Sequence, residues 1–242
     1  MTLKSLNTKI KAIGLKSVCI ACVAGALAAC AATKGSDSNP IFRKFQWFSY
    51  IEGEDFRDTC DATSDRYRLI YNAVYTEQVR IYEVSTASQA LHARVMSTMD
   101  LRDFNVDSLS GLLDPWRGRA KDAKITKTDL AGLVSDLEGA GVFDRPNVGE
   151  ELSSRGFFWT IAACHNGTYH FTGFAWPSEK WDKLRFSERL FSLDVTGVAI
   201  NEPRKTKTGR PLTQTNKSAL AIGQEYHLKV GENGLWDLGS MF

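Results

Sequence analysis

None of the familiar catalytic signatures occurs in this chain of 242 residues. There is no G-x-S-x-G, so no strained nucleophile elbow is encoded. There is no H-E-x-x-H, no G-x-x-x-x-G-K-[ST] and no C-x-x-C-H, which removes the zinc-protease, phosphate-loop and haem-attachment readings. Gly139-Ala140-Gly141 is a fragment of a dinucleotide loop, but it follows a helical pattern where that loop must follow a strand, so it reads as a helix stop. No cofactor is expected. A charge surplus is also missing. The net charge is +2, and the first 29 residues hold Lys4, Lys9, Lys11 and Lys16 with no acid. Without them the chain carries −2, so it lacks the basic footprint of a nucleic-acid binder, and no nucleic acid partner is expected. The apolar stretch from Ser17 to Ala29 falls short of the roughly 20 residues that a membrane-spanning helix needs.

What the first residues do contain is ordered. A lysine-rich start is followed by a short apolar core with Val18, Ile20, Val23 and Leu27, and then by small residues. That is the form of a secretory signal. It ends in Leu27-Ala28-Ala29-Cys30, which closely resembles the lipobox of bacterial lipoproteins. The resemblance implies that the chain is cut before Cys30 and that Cys30 carries acyl chains, so residues 1–29 are a discarded signal. Each buried methylene contributes about 0.8 kcal/mol, and several chains together hold a protein on a bilayer almost permanently. The lipid bilayer is therefore an expected partner. Ala31 occupies the position where an aspartate tends to retain such proteins at the inner membrane, so the outer membrane, on its periplasmic side, is the expected location. Residues 30–40 form the lipidated cysteine and a polar tether rich in Gly, Ser, Asn and Pro.

Residues 41–242 suffice for a single domain. Cys19 and Cys22 leave with the signal, so their C-x-x-C carries no redox meaning. Cys60 and Cys164 remain. In an oxidising periplasm two cysteines can form one disulfide. The alternative is two separate buried thiols; the bond is the reading adopted.

Tyr67–Tyr71 and Gln78–Val84 are rich in β-branched and aromatic residues and predict antiparallel strands across Asn72–Glu77. Phe42–Tyr50, strongly aromatic, also reads as a strand. Ala90–Met99 fits a strand or a short helix. Leu101–Lys124 reads as an irregular connection. Thr126 or Thr128 can cap a helix with Leu130, Leu133, Val134 and Leu137 on one stripe, stopped by Gly139 or Gly141. Asn166-Gly167 is the preferred pair for a two-residue hairpin turn, which sets His165 opposite Thr168, Cys164 opposite Tyr169 and Trp159 opposite Phe174. Both faces of that hairpin are apolar, so it should be central and covered on both sides. A helix from Trp181 to Leu190 behind Ser178, a strand over Leu193–Ile200, and a closing hairpin around Gly231–Gly234 complete the pattern. Hairpins dominate and helices are insertions, which predicts an α+β fold with a mainly antiparallel sheet.

Candidate chemistry is sparse. No metal site is expected; the nearest approach is His165 with His170, which share one face of the hairpin while Cys164 points away, and two histidines leave a zinc ion short of ligands. His92 and His227 stand alone. Asp55, Asp58, Asp61 and Asp65 form an acidic run interleaved with Arg57 and Arg66, which reads as a locally paired loop. Arg204, Lys205, Lys207 and Arg210 form a basic segment able to touch anionic headgroups. Trp47, Tyr67, Tyr71, Tyr75 and Tyr82 could line an aromatic groove, or pack in the core. No catalytic residue is expected. The function that follows is a membrane-anchored envelope lipoprotein with a non-enzymatic structural, assembly or binding role and an envelope protein as a possible partner. The alternative is a tethered periplasmic hydrolase acting on cell-wall glycan through unidentified carboxylates.

Overall fold

A computed structural model describes residues 47–97, 118–205 and 226–236, all within the unit Lys44–Phe242. The fold is α+β, built on an antiparallel sheet of six strands in the order β4-β3-β2-β1-β6-β7. The strands β1 (Arg66–Ala73), β2 (Gln78–Ser85) and β3 (Ala90–Ser97) follow one another as a meander, and β4 (Arg119–Lys124) pairs with β3. The chain then crosses one face as helix α1 (Lys127–Gly139) and returns through β5 (Glu151–Ser153). β6 (Phe157–His165) lies beside β1, and β7 (Thr168–Trp176) beside β6. Helix α2 (Arg185–Leu193) follows, and β8 (His227–Lys229) pairs with β5 in a separate two-stranded sheet.

The β6–β7 hairpin has the register that Asn166-Gly167 predicts, His165 opposite Thr168 and Trp159 opposite Phe174. Asn166 (φ 51°) and Gly167 (φ 74°) supply the two left-handed residues of the turn. The strands β1, β2 and β6 are buried on both sides. On one face Tyr67, Leu69, Tyr71, Tyr82, Trp159, Ile161 and Phe174 pack under Leu133 and Leu137 of α1 and Phe186 and Leu190 of α2. On the other, Ile70, Val79, Ile81, Phe158, Ala162 and Phe171 are covered by Trp47, Phe48 and Ile51, by Leu152 and Leu228 of the small sheet, and by Val230 just beyond it. Each expected face of the hairpin thus belongs to its own core. Only β6 is central, however: β7 is the edge strand.

Both sheet edges are blocked. Along β7, Asn147 Nδ2 donates to the Gly173 carbonyl (2.9 Å) and Glu150 Oε1 accepts from the Ala175 amide (3.1 Å), occupying groups a foreign strand would use. At the far edge β4 reads Arg-Ala-Lys-Asp-Ala-Lys and is almost wholly exposed. Its charges discourage strand addition. They also leave β4 no apolar face to alternate, so in the sequence it reads as part of the irregular connection expected over Leu101–Lys124; residues 101–117 of that connection lie outside the described residues.

Other expectations are corrected. Residues 47–52 are helical, not extended. Trp47, Phe48 and Ile51 fall on one helical face and enter the core together; residues 42–46 lie outside the described residues. A second helical turn, Glu54–Asp58, follows Gly53, which has φ 70° and sits so close to β6 that a Cβ there would lie 2.4 Å from Ala162 Cβ. Leu193–Ile200 is no strand. Leu193 ends α2, the Thr196 amide bonds Asp194 Oδ1 (2.7 Å), and Gly197 turns the chain at φ 70°. The helix expected from Trp181 is split: Ser178 Oγ accepts from the Trp181 amide (3.2 Å) at the start of a 3₁₀ turn, Trp181–Lys183, and α2 begins only at Arg185. The closing hairpin is present as far as it is described: Val230 bridges Leu235 in antiparallel fashion across Gly231–Gly234, and the Trp236 amide donates to the Lys229 carbonyl (2.7 Å); Leu238 lies outside the described residues.

Helix α1 behaves as its caps dictate. Thr126 Oγ1 accepts from the Asp129 amide (3.0 Å) and donates to Asp129 Oδ2 (2.6 Å), and left-handed Gly141 (φ 74°) lies just past the end. Thr126→Ala is expected to cost about 1 kcal/mol of unfolding free energy, measured by urea titration with an unchanged slope. A loss under about 0.3 kcal/mol would mean that the cap does not hold the helix.

Candidate functional site

The sequence candidates gather at the tip of the β6–β7 hairpin. Because Arg66 pairs with Cys164, the residue before β1 meets the residue at the end of β6. Asp65 and His165 therefore touch, with Asp65 Oδ2 2.9 Å from His165 Nδ1. Tyr67 Oη lies 2.9 Å from the same nitrogen and donates to Asp65 Oδ2 (3.1 Å). Asp65 Oδ1 accepts from the Asn166 amide (2.8 Å). Phe143 stacks on the imidazole at 4.1 Å between centroids, and His170 meets the edge of Phe143 at 5.5 Å. Beside this cluster Cys60 and Cys164 are joined in a disulfide.

Aspartate, histidine and tyrosine together suggest acid–base chemistry, but the connections are those of a clasp. His165 Nε2, the nitrogen a reaction would use, lies 3.0 Å from Asn166 Nδ2 of its own turn. Cys164 is oxidised and cannot act as a thiol nucleophile. Burial, reinforced by the Asp65 charge, pushes the Tyr67 phenol far above its ordinary value, so it stays a neutral donor. The two histidines do share a face, as expected, yet Phe143 stands against both. Burial and the neighbouring His165 hold the His170 imidazole below its ordinary pKa, against an opposing pull from Asp144. Among the described residues no three histidine, cysteine or carboxylate side chains are grouped to hold a metal ion.

The acidic run is dispersed. Asp55 forms two parallel bonds (2.8 Å each) to Arg68, whose buried guanidinium also donates to Glu83 (2.7 Å) and the Tyr50 carbonyl (2.9 Å) and lies over the Tyr50 and Phe56 rings. Asp61 caps a turn at the Thr63 amide (2.9 Å). Asp65 serves His165. The aromatic groove does not exist: Trp47, Tyr67, Tyr71 and Tyr82 are buried, divided between the two faces of the sheet, with Tyr75 partly buried. In the basic segment, Arg204 is bound by Glu77 and Asn201, and residues 206–210 lie outside the described residues.

A feature not anticipated is a cavity of about 400 Å³ where α1 ends, at Gly139–Gly141. Arg145, Lys180 and Lys183 line it with Asp144 and Asn147, over Phe174. Asn147 is fixed there: its amide donates to Thr172 Oγ1 (3.1 Å), its Nδ2 to Gly173 O (2.9 Å), and its Oδ1 accepts from Lys180 Nζ (2.7 Å). The only signal in the sequence is Lys180 and Lys183, three apart; Arg145 joins them through folding alone. No known family matches the chain, and no curated protein or solved structure matches it.

Proposed function

We propose that the chain is a lipid-anchored envelope protein, held on the periplasmic side of the outer membrane through acyl chains on Cys30, whose globular part is a non-enzymatic binding or assembly module. The observation that carries the compartment is the Cys60–Cys164 disulfide. Such bonds form and persist in oxidising environments and are rare in the cytosol, which agrees with the secretory form of residues 1–29. Among the described residues no helix is long and apolar enough to cross a membrane; the proposed attachment rests on the lipobox resemblance at Cys30. Binding is favoured over glycan hydrolysis by what the acids do. Hydrolysis by the usual route needs two carboxylates flanking one bond. Asp55, Asp61 and Asp65 are instead engaged with Arg68, Thr63 and His165, and the cavity has the single carboxylate of Asp144.

Replacing Cys30 tests the anchor. Cys30→Ser is expected to accumulate as an uncut precursor that takes up no palmitate label. Normal membrane attachment of that variant, or an unmodified Met1 start on a soluble cytosolic species, would remove the lipoprotein reading.

A further inference from the structure

We infer that the cavity at the end of α1 is a binding site for a phosphate-bearing group. Three cations line it against the one acid, Asp144. Among the described residues, the side chains of Arg145 and Lys183 form no hydrogen bond or ion pair, while Lys180 is aimed by Asn147 Oδ1 (2.7 Å). The C-terminal end of α1 adds roughly half a negative charge, which with Asp144 still leaves more than one positive charge unmatched. A carboxylate would neutralise one cation. A phosphate monoester carries about −1.5 to −2 at neutral pH and offers three acceptor oxygens, one for each cationic side chain. The cavity's size, about 400 Å³, is that of a small-molecule site. Asn147 is the positioning residue: its backbone N–H and its Nδ2 tie it to the edge of β7, and its Oδ1 holds Lys180.

This deepens the binding reading above and rests on it for the role, not for the affinity. The test is calorimetric titration of the full mature chain in neutral detergent with inorganic phosphate, at constant ionic strength. Saturable binding is expected, weakened about tenfold or more by Lys183→Glu or Arg145→Glu. Lys183→Arg should keep it, and so should Lys127→Glu, an equal change of charge elsewhere. Absence of saturation, equal affinity in Lys183→Glu, or acetate binding as tightly as phosphate would each overturn the inference. Two further probes refine the assignment. Glycerophosphoglycerol, a diester with one negative charge and two free oxygens, should bind more weakly than inorganic phosphate, and tighter binding would overturn the three-oxygen argument. Vesicles containing phosphatidic acid, whose headgroup is a phosphate monoester, should compete with inorganic phosphate if the source is a lipid; without competition the site is assigned to a soluble phosphate or monoester. A flat titration would leave the Cys30 anchor standing, and an attached Cys30→Ser chain would leave the titration standing, so the two failures are distinct.

Discussion

Asp194→Ala is expected to lower the unfolding free energy by about 3–5 kcal/mol, the usual cost of removing one partner from a buried ion pair. Arg80 lies wholly inside the molecule, at 0% exposure, on the face of β2 that carries Tyr82. Its guanidinium pairs with Asp194, whose side chain is 4% exposed, and bonds Gln78 Oε1 (2.9 Å) and the carbonyls of Val198 (2.6 Å) and Ala199 (2.8 Å). Tyr82 Oη donates to the same carboxylate (2.7 Å). Asp194 thus joins the end of α2 to the sheet, and Arg80 holds the segment that follows. Without the carboxylate, a full positive charge stays buried against neutral acceptors. The paired replacement Arg80→Met with Asp194→Leu should recover most of the loss, because it removes both charges together. If the pair of changes costs as much as Asp194→Ala alone, the uncompensated charge is not the cause.

The same carboxylate gives a pH signature. Burial alone would raise its pKa, but hydrogen bonds from Thr196 and Tyr82 and the Arg80 charge outweigh that and hold it below its ordinary value. A group depressed on folding stabilises the folded state above its unfolded pKa, about 3.9, and that contribution disappears as pH falls through the lower, folded value. The stability difference between the native chain and Asp194→Asn should therefore be constant from neutral pH down to about pH 4 and shrink below it. A difference unchanged down to pH 2 would show that the charge contributes nothing.

Much of the sheet was legible because strong local signals agreed. Asn166-Gly167 specifies both the turn and the register, and the β1–β2 pair carries apolar residues on both faces. Failures came where tertiary contact overrides pattern. The aromatics of 47–52 pack as a helix because the core face of β6 accepts a helical stripe. The turn after β1 puts Val74 at φ 61°, a conformation costly for a β-branched residue, held by bonds from its amide to Gly156 O (3.1 Å) and from the Tyr75 amide to Ser154 O (2.7 Å). Leu193–Ile200 looks apolar enough for a strand, but Arg80 claims its carboxylate and two of its carbonyls. The cavity was invisible for a related reason. Arg145 is set by the loop after α1, and Lys180 and Lys183 by the turn after β7, and no spacing in the sequence links those two connections. The hairpin-tip clasp is half visible in the sequence: the Asn166-Gly167 turn puts His165 and His170 on one face, but Asp65 and Tyr67 arrive through the β1–β6 pairing, about a hundred residues apart in sequence.

Replacing Cys60 and Cys164 together with alanine is expected to destabilise the chain by about 2–4 kcal/mol, with roughly 4.7 as the ceiling that loop-closure entropy sets for a closed loop of about a hundred residues. The bonded cysteines are 104 apart in sequence. The bridge ties the segment after the Glu54–Asp58 turn to the buried end of β6, beside the Asp65–His165–Tyr67 clasp. In the unfolded chain it removes the freedom of everything from β1 to β6. Peptide maps with and without reductant should differ by one linkage between the peptides holding Cys60 and Cys164, and identical maps would exclude the bond. Compartment and stability are then coupled. On the proposed reading of residues 1–29 as a secretory signal, a chain made without them would stay among reducing thiols, lack the bridge and show the same loss as the double alanine variant, with oxidation in vitro restoring it. Equal stability of the reduced and oxidised chains would break that coupling and leave the bridge without a stabilising role.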